Sequence, residues 1–318
     1  MGGPVRVLVP SYIRAALPDR LGVGDPSAPV DEVATWDGGP LPDGMDLSTV
    51  EVVVPAYTAT DSDLAHLAEL TGLRVVQTLT AGVDDVMAHL PAGVTLCNAA
   101  GVHDASTAEL AVGLALASLR HLDEFARAMP VGEWRYARHE SLADKRVLVV
   151  GFGSIGRAIA RRLDGFGCQV EAVARSARIV DGISVHAQSA LPGLLPTADV
   201  VILIVPLTDL TRGLVDASFL ARMHDGALLV NVSRGAVVET DALLAECAPG
   251  RLRAALDVTD PEPLPPDHPL WRTPGVLISP HVGGNTSAFL PRARRLVAEQ
   301  LTRWVAGGPL ANVVVAGQ

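Results

Sequence analysis

The amino-acid sequence predicts an α/β protein of two domains, the larger of which contains a doubly wound parallel sheet. The chain has 318 residues, which is long for a protein with a single hydrophobic core. Beyond residue 145, short apolar strands alternate with helical segments, which is the pattern of a parallel sheet. These strands are continuous runs rich in Val, Ile and Leu, as expected when helices cover both faces of the sheet.

The first hundred residues predict a smaller α/β unit. Its strands are expected at four apolar runs, which are residues 5–10, 51–55, 74–78 and 94–98. A helix is expected over about 61–70, and Pro- and Gly-rich loops separate the strands between Gly22 and Gly44. Tyr57 and the segment 80–84 follow predicted strands. Because ligands gather at the carboxyl ends of parallel strands, these loops are candidates for contact with a substrate.

A long apolar helix is predicted over 104–129, and six strands follow it. The strands are expected at 146–150, 169–174, 200–205, 227–230, 252–256 and 276–279. Apolar residues cover nearly every side of the helix over 110–119, which indicates burial on more than one face. An inter-domain position, a subunit interface, or both would provide this burial. An amphipathic helix over 286–305 and a strand at 312–315 end the chain. We expect both to pack against the first unit, which is therefore discontinuous in sequence.

The composition argues against several classes of function. The formal net charge of −10 provides no basic field for a nucleic-acid partner. No segment has the pattern of a signal peptide or a membrane span, so a cytoplasmic protein is expected. The three cysteines are far apart and form no CxxC pair. This spacing disfavours disulfides and a metal site, and predicts that the cysteines are small core residues.

A glycine-rich turn over 151–156 (GFGSIG) lies between the strand at 146–150 and a helical run. In this context a GxGxxG sequence predicts a dinucleotide-binding site. Gly151 permits the tight turn, Gly153 lets the backbone approach a pyrophosphate, and Gly156 lets helix and strand pack closely. The phosphates are expected at the positive N-terminus of the helix. The candidate cofactor-binding residues of this turn are Gly151, Gly153, Ser154, Ile155 and Gly156.

Three further candidates follow predicted strands of the second domain. Arg234 comes after the strand at 227–230, and a guanidinium there suits a planar carboxylate. Glu262 lies in a proline-rich loop, DPEPLPP, whose backbone the prolines restrict. His281 follows the strand at 276–279 and can give or take a proton near neutral pH. The plainer alternatives are a surface arginine, an exposed glutamate and a structural histidine.

Together these three residues predict a hydride-transfer site. Arg234 would hold a 2-oxo carboxylate, His281 would protonate the carbonyl oxygen, and Glu262 would orient His281 and raise its pKa. Reduction of a carbonyl needs such an acid because an alkoxide develops as the hydride arrives. The catalytic candidates are therefore Arg234, Glu262 and His281.

With these pieces assembled, the chain resembles the D-isomer-specific 2-hydroxyacid dehydrogenase family over nearly its whole length. The matching segments, in order, are 151–156, 206–208, 231–235, 257–258 with 262–264, and 279–281. The ordered set is far more specific than any one motif. The resemblance implies a D-specific enzyme that transfers a hydride between a nicotinamide cofactor and a small 2-oxo or 2-hydroxy acid, such as glyoxylate or hydroxypyruvate.

The resemblance also implies a domain organisation and further site residues. We predict a Rossmann cofactor domain over 100–286 and a discontinuous, smaller, flavodoxin-like substrate domain over 1–99 and 287–318. Family members commonly dimerise through the cofactor domain, so a homodimer is expected. Asp257 is implied to contact the nicotinamide end. The other implied cofactor contacts are Pro206, Thr208, Val232, Ser233, His281 and Gly283. The amides of Ala81, Gly82 and Val83 are implied to meet the substrate carboxylate, and Tyr57 is a substrate candidate from its place after a strand.

The end of the second strand of the cofactor domain departs from the NAD-type pattern. An acidic residue about 20 residues beyond the glycines usually bonds the ribose hydroxyls, but Arg175 stands in that place, with Ser176 and Arg178 beside it. A carboxylate would repel a 2′-phosphate, whereas this cluster attracts it. We therefore predict that NADP(H) is preferred. The alternative is that Arg175 only stacks on the adenine and that NAD(H) is also used.

Two rival functions share this scaffold. One is a formate or phosphite dehydrogenase, although formate dehydrogenases that resemble this family carry Gln at the place of Glu262. The other is a dinucleotide-sensing, corepressor-like binding protein, which the intact catalytic residues do not exclude. Turnover separates the two classes, because a sensor binds NADPH without oxidising it in the presence of a 2-oxo acid.

Overall fold

A computed structural model describes residues 6–17 and 33–317, which divide into two compact units. Unit 1 takes Met1–His103 and Ser287–Gln318, and unit 2 is Asp104–Thr286. The domain junctions predicted from the sequence are 99/100 and 286/287. Val5, at the start of the first expected strand, and residues 22–32 of the expected loop lie outside the described residues.

Unit 1 is built on a six-stranded sheet in the order β2-β1-β3-β4-β5-β14. The strands are β1 (Val7–Val9), β2 (Val33–Thr35), β3 (Val52–Val53), β4 (Val75–Gln77), β5 (Thr95–Cys97) and β14 (Val313–Val315). β14 pairs antiparallel with β5, and the other pairings are parallel. The order 2-1-3-4-5 is that of flavodoxin-like sheets, so the predicted fold class of this unit is confirmed.

Unit 2 is built on an eight-stranded sheet in the order β8-β9-β7-β6-β10-β11-β12-β13. The strands are β6 (Arg146–Val150), β7 (Gln169–Ala174), β8 (Arg178–Val180), β9 (Ile183–Ala187), β10 (Val200–Leu203), β11 (Leu228–Asn231), β12 (Arg253–Leu256) and β13 (Val276–Ile278). Only β8, at one edge, pairs antiparallel. The strand order reverses between β6 and β10, which makes the sheet doubly wound, as predicted.

The two sheets are covered by helices of very different lengths. The α-helices are α1 (Ser11–Arg14), α2 (Asp61–Ala65), α3 (Asp84–Met87), α4 (Asp104–Leu119), α5 (Leu122–Ala128), α6 (Ser154–Leu163), α7 (Leu191–Leu194), α8 (Ala217–Arg222), α9 (Thr240–Cys247) and α10 (Phe289–Val305). In the part of the chain that the structure describes, no helix is long and apolar enough to cross a membrane.

Alternating residues of each strand supply two cores, one on each face of a sheet. In unit 2, Val147 and Val149 belong to a buried cluster with α4 and α6, whereas Leu148 and Val150 belong to a cluster with α8 and α9. Successive side chains of a strand point to opposite faces. A continuous apolar run is therefore required to fill both cores, and this is why the strand appears in the sequence as an uninterrupted stretch.

The predicted helix over 104–129 is wrong in its extent. α4 ends at Leu119, His121 adopts a left-handed backbone with φ of 51°, and α5 begins at Leu122. A right-handed helix cannot continue through such a residue. The burial expected around α4 is found within unit 2, where nine residues of the helix are buried.

Three strands were not predicted. β2 lies within the expected loop between Gly22 and Gly44, and β8 and β9 form a hairpin beyond the expected strands. The hairpin turns at Asp181 and Gly182, which both have positive φ, and an Asp-Gly pair is a recognised hairpin signal. β2 and β8 are three-residue edge strands, too short to produce a pattern of their own.

The cysteines are free thiols, as expected. Cys97 and Cys247 are fully buried in the cores, which confirms them as core residues. Burial raises the pKa of Cys97 to about 11 and that of Cys247 to about 12. Both therefore stay protonated and unreactive at neutral pH.

Candidate active site

A groove of about 750 Å³ lies in unit 2 at the carboxyl ends of β6 and β10. This is the point where the strand order reverses, and in doubly wound sheets dinucleotides bind there. Seven of the predicted cofactor-binding residues line the groove, namely Gly151, Gly153, Arg175, Ser176, Arg178, Pro206 and Thr208. The groove therefore joins the glycine-rich turn to the end of β7 and to the loop after β10.

The three glycines of the turn have different surroundings. Gly151 has φ of 105°, and a Cβ atom there would lie 2.1 Å from the carbonyl oxygen of Ile204. A Cβ atom at Gly156 would lie 2.3 Å from the carbonyl oxygen of Gly151, so α6 approaches the turn closely. A Cβ atom at Gly153 would meet no heavy atom within 4 Å. A side chain at Gly153 would stand in the groove, so this turn fits the pyrophosphate of a dinucleotide.

The N-terminus of α6 faces this turn. Gly153 is its N-cap and provides no side-chain hydrogen bond, so the first N–H groups of the helix suit an anion. The Ser154 hydroxyl donates to Asp104 Oδ1 at 3.2 Å, and Ile155 packs against the unit 2 core. The cofactor contacts expected of Ser154 and Ile155 stay predictions.

The two arginines beyond β7 have different partners. Arg178 donates to the carbonyl oxygens of Ser176 at 3.0 Å and of Phe152 at 3.1 Å. Arg175 is exposed and makes no hydrogen bond or ion pair with the residues described. Arg178 therefore ties its segment to the glycine-rich turn, whereas the guanidinium of Arg175 remains available for an anion.

The loop after β10 is closed by hydrogen bonds to one hydroxyl. Thr211 Oγ1 accepts the backbone N–H of Thr208 at 2.8 Å and donates to the carbonyl oxygen of Pro206 at 2.6 Å. These bonds hold Pro206 and Thr208 in the lining of the groove.

Asn231, the buried last residue of β11, shapes the turn that leads to Arg234. Its Oδ1 atom accepts the backbone N–H and the hydroxyl of Ser233 at 3.0 and 2.6 Å, and its Nδ2 atom donates to the carbonyl oxygen of Arg234 at 3.0 Å. Arg234 Nη1 donates in turn to the Ser233 carbonyl oxygen at 2.8 Å. The side chains of Val232 and Ser233 are buried, so their expected cofactor contacts stay predictions that would involve the backbone.

Glu262 and His281 form a direct pair. Oε1 of Glu262 and Nδ1 of His281 are 2.5 Å apart. With a carboxylate as its partner, Nδ1 carries the proton, and Nε2 is left as the atom that can give or take a proton. Both side chains are exposed, His281 to 46% and Glu262 to 39%, so a ligand can reach the pair.

The pair shifts the pKa of each member. The hydrogen bond to Glu262 raises the pKa of His281 above its ordinary value near 6.5, although burial and the charge of Arg234 oppose the shift. Burial favours the neutral form of Glu262, but the hydrogen bond and charge of His281, a backbone hydrogen bond from Thr259 and the charge of Arg234 outweigh it, so the pKa of Glu262 is lowered. The pair is therefore held as imidazolium and carboxylate to a higher pH than an isolated histidine.

The buried carboxylate of Asp257 holds the turn that presents His281. Its Oδ1 atom accepts the hydroxyl of Ser279 at 2.6 Å and the N–H of Val282 at 3.0 Å, and its Oδ2 atom accepts the N–H of Gly283 at 2.9 Å. His281 has φ of 51°, a left-handed conformation that costs roughly 1–2 kcal/mol, and these bonds offset that cost. The nicotinamide contacts implied for Asp257 and Gly283 stay predictions.

The loops that carry Arg234 and Glu262 meet at Gly235. A Cβ atom at Gly235 would lie 1.8 Å from the carbonyl oxygen of Thr259, so only glycine fits. Thr240 Oγ1 also donates to the carbonyl oxygen of Asp260 at 2.7 Å. The structure thus brings the three predicted catalytic residues into one cluster at the carboxyl end of the unit 2 sheet.

The predicted substrate loop, residues 81–83, belongs to unit 1. The carbonyl oxygen of Ala81 accepts from Asn98 Nδ2 at 2.8 Å, and that of Gly82 accepts from Thr80 Oγ1 at 2.7 Å. Among the residues described, no acceptor meets the N–H groups of 81–83. Such free backbone donors suit a carboxylate, and the substrate contact of this loop stays a prediction.

Tyr57 also lies in unit 1, in an aromatic cluster. Its ring centroid is 4.6 Å from that of Phe289 and 5.6 Å from that of His103. Its backbone N–H donates to Tyr12 Oη at 2.8 Å. The contact expected between Tyr57 and a substrate stays a prediction.

Sequence reasoning assigned no role to four residues that position the site. They are Thr211, Asn231, Gly235 and Ser279, which shape the turns described above. Asn231 carried a signal, because an asparagine two residues before a serine at a strand end favours a turn closed by its side chain. Ser279 carried none, because its partner Asp257 lies 22 residues away.

The fold and the site together define a class of protein. A doubly wound sheet with an open glycine turn at its switch point, and a histidine-glutamate pair at the same edge, is the arrangement of a dinucleotide-dependent oxidoreductase. A protein-family sequence model, described as "D-isomer specific 2-hydroxyacid dehydrogenase, NAD binding domain", matches residues 112–283 of the chain. The chain belongs to the D-isomer specific 2-hydroxyacid dehydrogenase family, whose members are NAD(P)-dependent oxidoreductases.

Individual relatives agree with this assignment. Human glyoxylate reductase/hydroxypyruvate reductase is 34% identical over 250 residues, which cover 76% of this chain and 76% of that protein. D-3-phosphoglycerate dehydrogenase of Methanocaldococcus jannaschii is 32% identical over 270 residues, which cover 83% of this chain but 51% of that protein. The chain thus spans about half the length of the latter relative.

One solved structure is similar in fold over nearly the full length of the chain. It is the NADPH-dependent glyoxylate/hydroxypyruvate reductase of Sinorhizobium meliloti, in complex with NADP and sulfate. The TM-score is 0.81 at 27% identity, with 98% of each chain covered.

We expect the Glu262→Gln substitution to lower the pKa of His281. The amide keeps the size of the side chain but removes the negative charge that stabilises the imidazolium. In an NMR titration of the histidine ring signals, with His281→Asn used for assignment, the wild-type midpoint should lie above 6.5 and should fall in Glu262→Gln. A matched control is Glu69→Gln, which alters the exposed pair with His66 and should leave the His281 midpoint in place. An unchanged midpoint in Glu262→Gln would contradict the pairing.

Proposed function

We propose that this protein is an NADPH-preferring, D-specific reductase of small 2-oxo acids such as glyoxylate or hydroxypyruvate. The observation that carries the proposal is the 2.5 Å contact between His281 and Glu262, in a cluster with Arg234. This arrangement supplies a charged acid and a carboxylate-binding group in one place. Those are the two functions that reduction of a 2-oxo acid requires of the protein.

The groove of unit 2 has the features needed to hold the cofactor. The open face of Gly153 and the N-terminus of α6 suit the pyrophosphate, and Arg175 with Ser176 suits a 2′-phosphate. The Sinorhizobium meliloti relative is described as NADPH-dependent, which supports the same preference here. When bound, the nicotinamide supplies the hydride in reduction and accepts it in oxidation.

The residues of the chain move the proton and hold the substrate. In reduction, the Nε2 proton of His281 goes to the carbonyl oxygen of the 2-oxo acid, which becomes the hydroxyl group. Arg234 binds and orients the substrate, and Glu262 keeps His281 protonated until the transfer. In the reverse direction, neutral His281 removes the proton from the hydroxyl group of the D-2-hydroxy acid.

Two observations favour a small and unphosphorylated substrate. Residues 57 and 79–83, the predicted substrate segments, contain no Lys or Arg for a phosphate. The human relative acts, by its name, on glyoxylate and hydroxypyruvate. We place the proposed substrate in that class, and within unit 1 we propose the amides of Ala81, Gly82 and Val83 as carboxylate contacts.

We also propose a homodimer that forms through unit 2. The segment 122–140 carries five exposed large apolar side chains, which are Leu122, Met129, Val131, Trp134 and Tyr136. Trp134 and Tyr136 are each 92% exposed. Exposed apolar side chains concentrated in one segment indicate an interaction surface. We assign a second copy of this chain as the partner that binds it.

The reductase proposal predicts turnover that depends on His281. Wild-type protein should oxidise NADPH with at least one of glyoxylate, hydroxypyruvate, pyruvate or phenylpyruvate. His281→Ala should lower kcat by about 10²- to 10⁴-fold because the acid is lost, while NADPH binding, measured by fluorescence titration, persists. His66→Ala removes another histidine paired with a glutamate and should retain full activity. NADPH binding without turnover of any of these acids would favour the sensor instead.

The cofactor proposal predicts different effects for the two arginines. Arg175→Ala should raise the KM for NADPH by about 10- to 100-fold, the range of one charged hydrogen bond, and should change the KM for NADH little. Arg178→Ala should weaken both cofactors, because Arg178 supports the backbone of the glycine-rich turn. Arg222→Ala, on an exposed helix end, serves as the control. Equal KM values for NADH and NADPH in the wild type would contradict the preference.

The dimer proposal predicts a change of mass in solution. By light scattering after gel filtration, wild-type protein should have the mass of two chains. The double substitution Trp134→Ser and Tyr136→Ser should shift the protein to one chain, because it removes apolar area from the interface. Ile179→Ser alters another apolar side chain, 79% exposed, and should leave the dimer intact. A wild type of single-chain mass would overturn the proposal.

A further inference from the structure

We infer that His103 is a positioning residue that turns the loop 79–83 so that its amides face a substrate carboxylate. The inference rests on the proposed function, because it names the device that prepares one of the proposed substrate contacts. His103 does not touch the reacting atoms in this proposal. It acts through the backbone of the loop.

Side-chain donors take up four successive carbonyl groups of the loop. The bonds run from His103 Nε2 to the Leu79 oxygen (2.7 Å), from Thr78 Oγ1 to the Thr80 oxygen (2.8 Å), from Asn98 Nδ2 to the Ala81 oxygen (2.8 Å) and from Thr80 Oγ1 to the Gly82 oxygen (2.7 Å). The C=O and N–H of one peptide plane point in opposite directions. The carbonyls of 79–82 share their planes with the N–H groups of 80–83, so these bonds turn those N–H groups away from the donors. The His103 bond fixes the first of the four planes, which carries the N–H of Thr80 and leads into the planes of 81–83.

The N–H groups of 81–83 form the other half of this arrangement. They find no acceptor among the residues that the structure describes, although each non-proline N–H is an obligatory hydrogen-bonding group. Successive free N–H groups in a turn are a binding site for an anion. A carboxylate satisfies them at this point of the loop.

His103 differs from the two threonine donors in its reach and from all the other donors in its stacked ring. Thr78 and Thr80 bond within two residues of themselves, whereas Asn98 and His103 bond from 17 and 24 residues away. The residue is 5% exposed, and its ring stacks on Phe289, with centroids 5.4 Å apart and planes at 16°. Because the Leu79 oxygen can only accept, Nε2 carries the proton. The stacked ring thus aims one fixed donor at the start of the loop.

Two substitutions separate the donor from the bulk of the ring. His103→Gln retains an N–H donor at a similar reach, whereas His103→Leu keeps an apolar contact with Phe289 and removes the donor. His103→Leu should raise the KM for the preferred 2-oxo acid by roughly threefold to tenfold, the range of one net hydrogen bond. It should leave the dissociation constant for NADPH unchanged and should alter kcat less than KM. His103→Gln should stay within about twofold of the wild-type KM.

A matched control removes a buried donor elsewhere in unit 1. Trp36 is buried and donates from Nε1 to the carbonyl oxygen of Gly39 at 3.0 Å. Trp36→Phe should lower the unfolding temperature, as His103→Leu does, without raising the KM. This comparison distinguishes a positioned loop from a general loss of stability.

The outcomes separate this inference from the proposed function. A wild type that reduces none of the 2-oxo acids overturns the proposed function and the inference with it. An active wild type with an unchanged KM in His103→Leu overturns the inference alone. The inference alone is also overturned if His103→Gln, or Trp36→Phe, raises the KM as much as His103→Leu does.

Discussion

The candidate site of unit 2 depends on the parallel alignment of five neighbouring strands. β6, β10, β11, β12 and β13 pair in parallel registers, so the segments that follow them emerge at one edge of the sheet. The glycine-rich turn, Arg234, Asp257 and His281 each follow one of these strands. Residues separated by more than a hundred positions in sequence are thereby gathered into one region, and the two cores that cover the sheet hold the strands in register.

Several polar side chains at this edge stabilise turns, and the residues carried by those turns are the ones that face a ligand. Asp257 accepts three hydrogen bonds that support the left-handed backbone of His281. Asn231 shapes the turn before Arg234. A buried carboxylate or amide with all its bonds made is rigid, and a catalytic group held by such a residue needs little rearrangement before it acts. Buried polar side chains thus hold in place the more exposed side chains of the candidate site.

Two other groups of the protein show the same relation between internal hydrogen bonds and ligand binding. Arg178 is bound to backbone carbonyls, and this leaves Arg175 as the arginine of the pair available for an anion. In unit 1, side chains occupy the carbonyls of 79–82, and the N–H groups of 81–83 meet no acceptor among the residues described. In both places, a group that makes internal hydrogen bonds lies beside a group that remains available to a ligand.

By itself, the sequence determined the main strands, the glycine-rich turn and the three candidate catalytic residues. β6 and β7 have the predicted bounds because long apolar runs must fill two cores. The motif residues could be named because glycine-rich, charged or titratable residues directly after a predicted strand indicate a ligand site. Only the tertiary structure decided the left-handed break at His121, the edge strands β2 and β8, and the roles of Asn231, Asp257 and His103. The physical reason is that each of these depends on the backbone geometry or on a hydrogen-bond partner set by the fold, and neighbouring residues in the sequence do not record that partner.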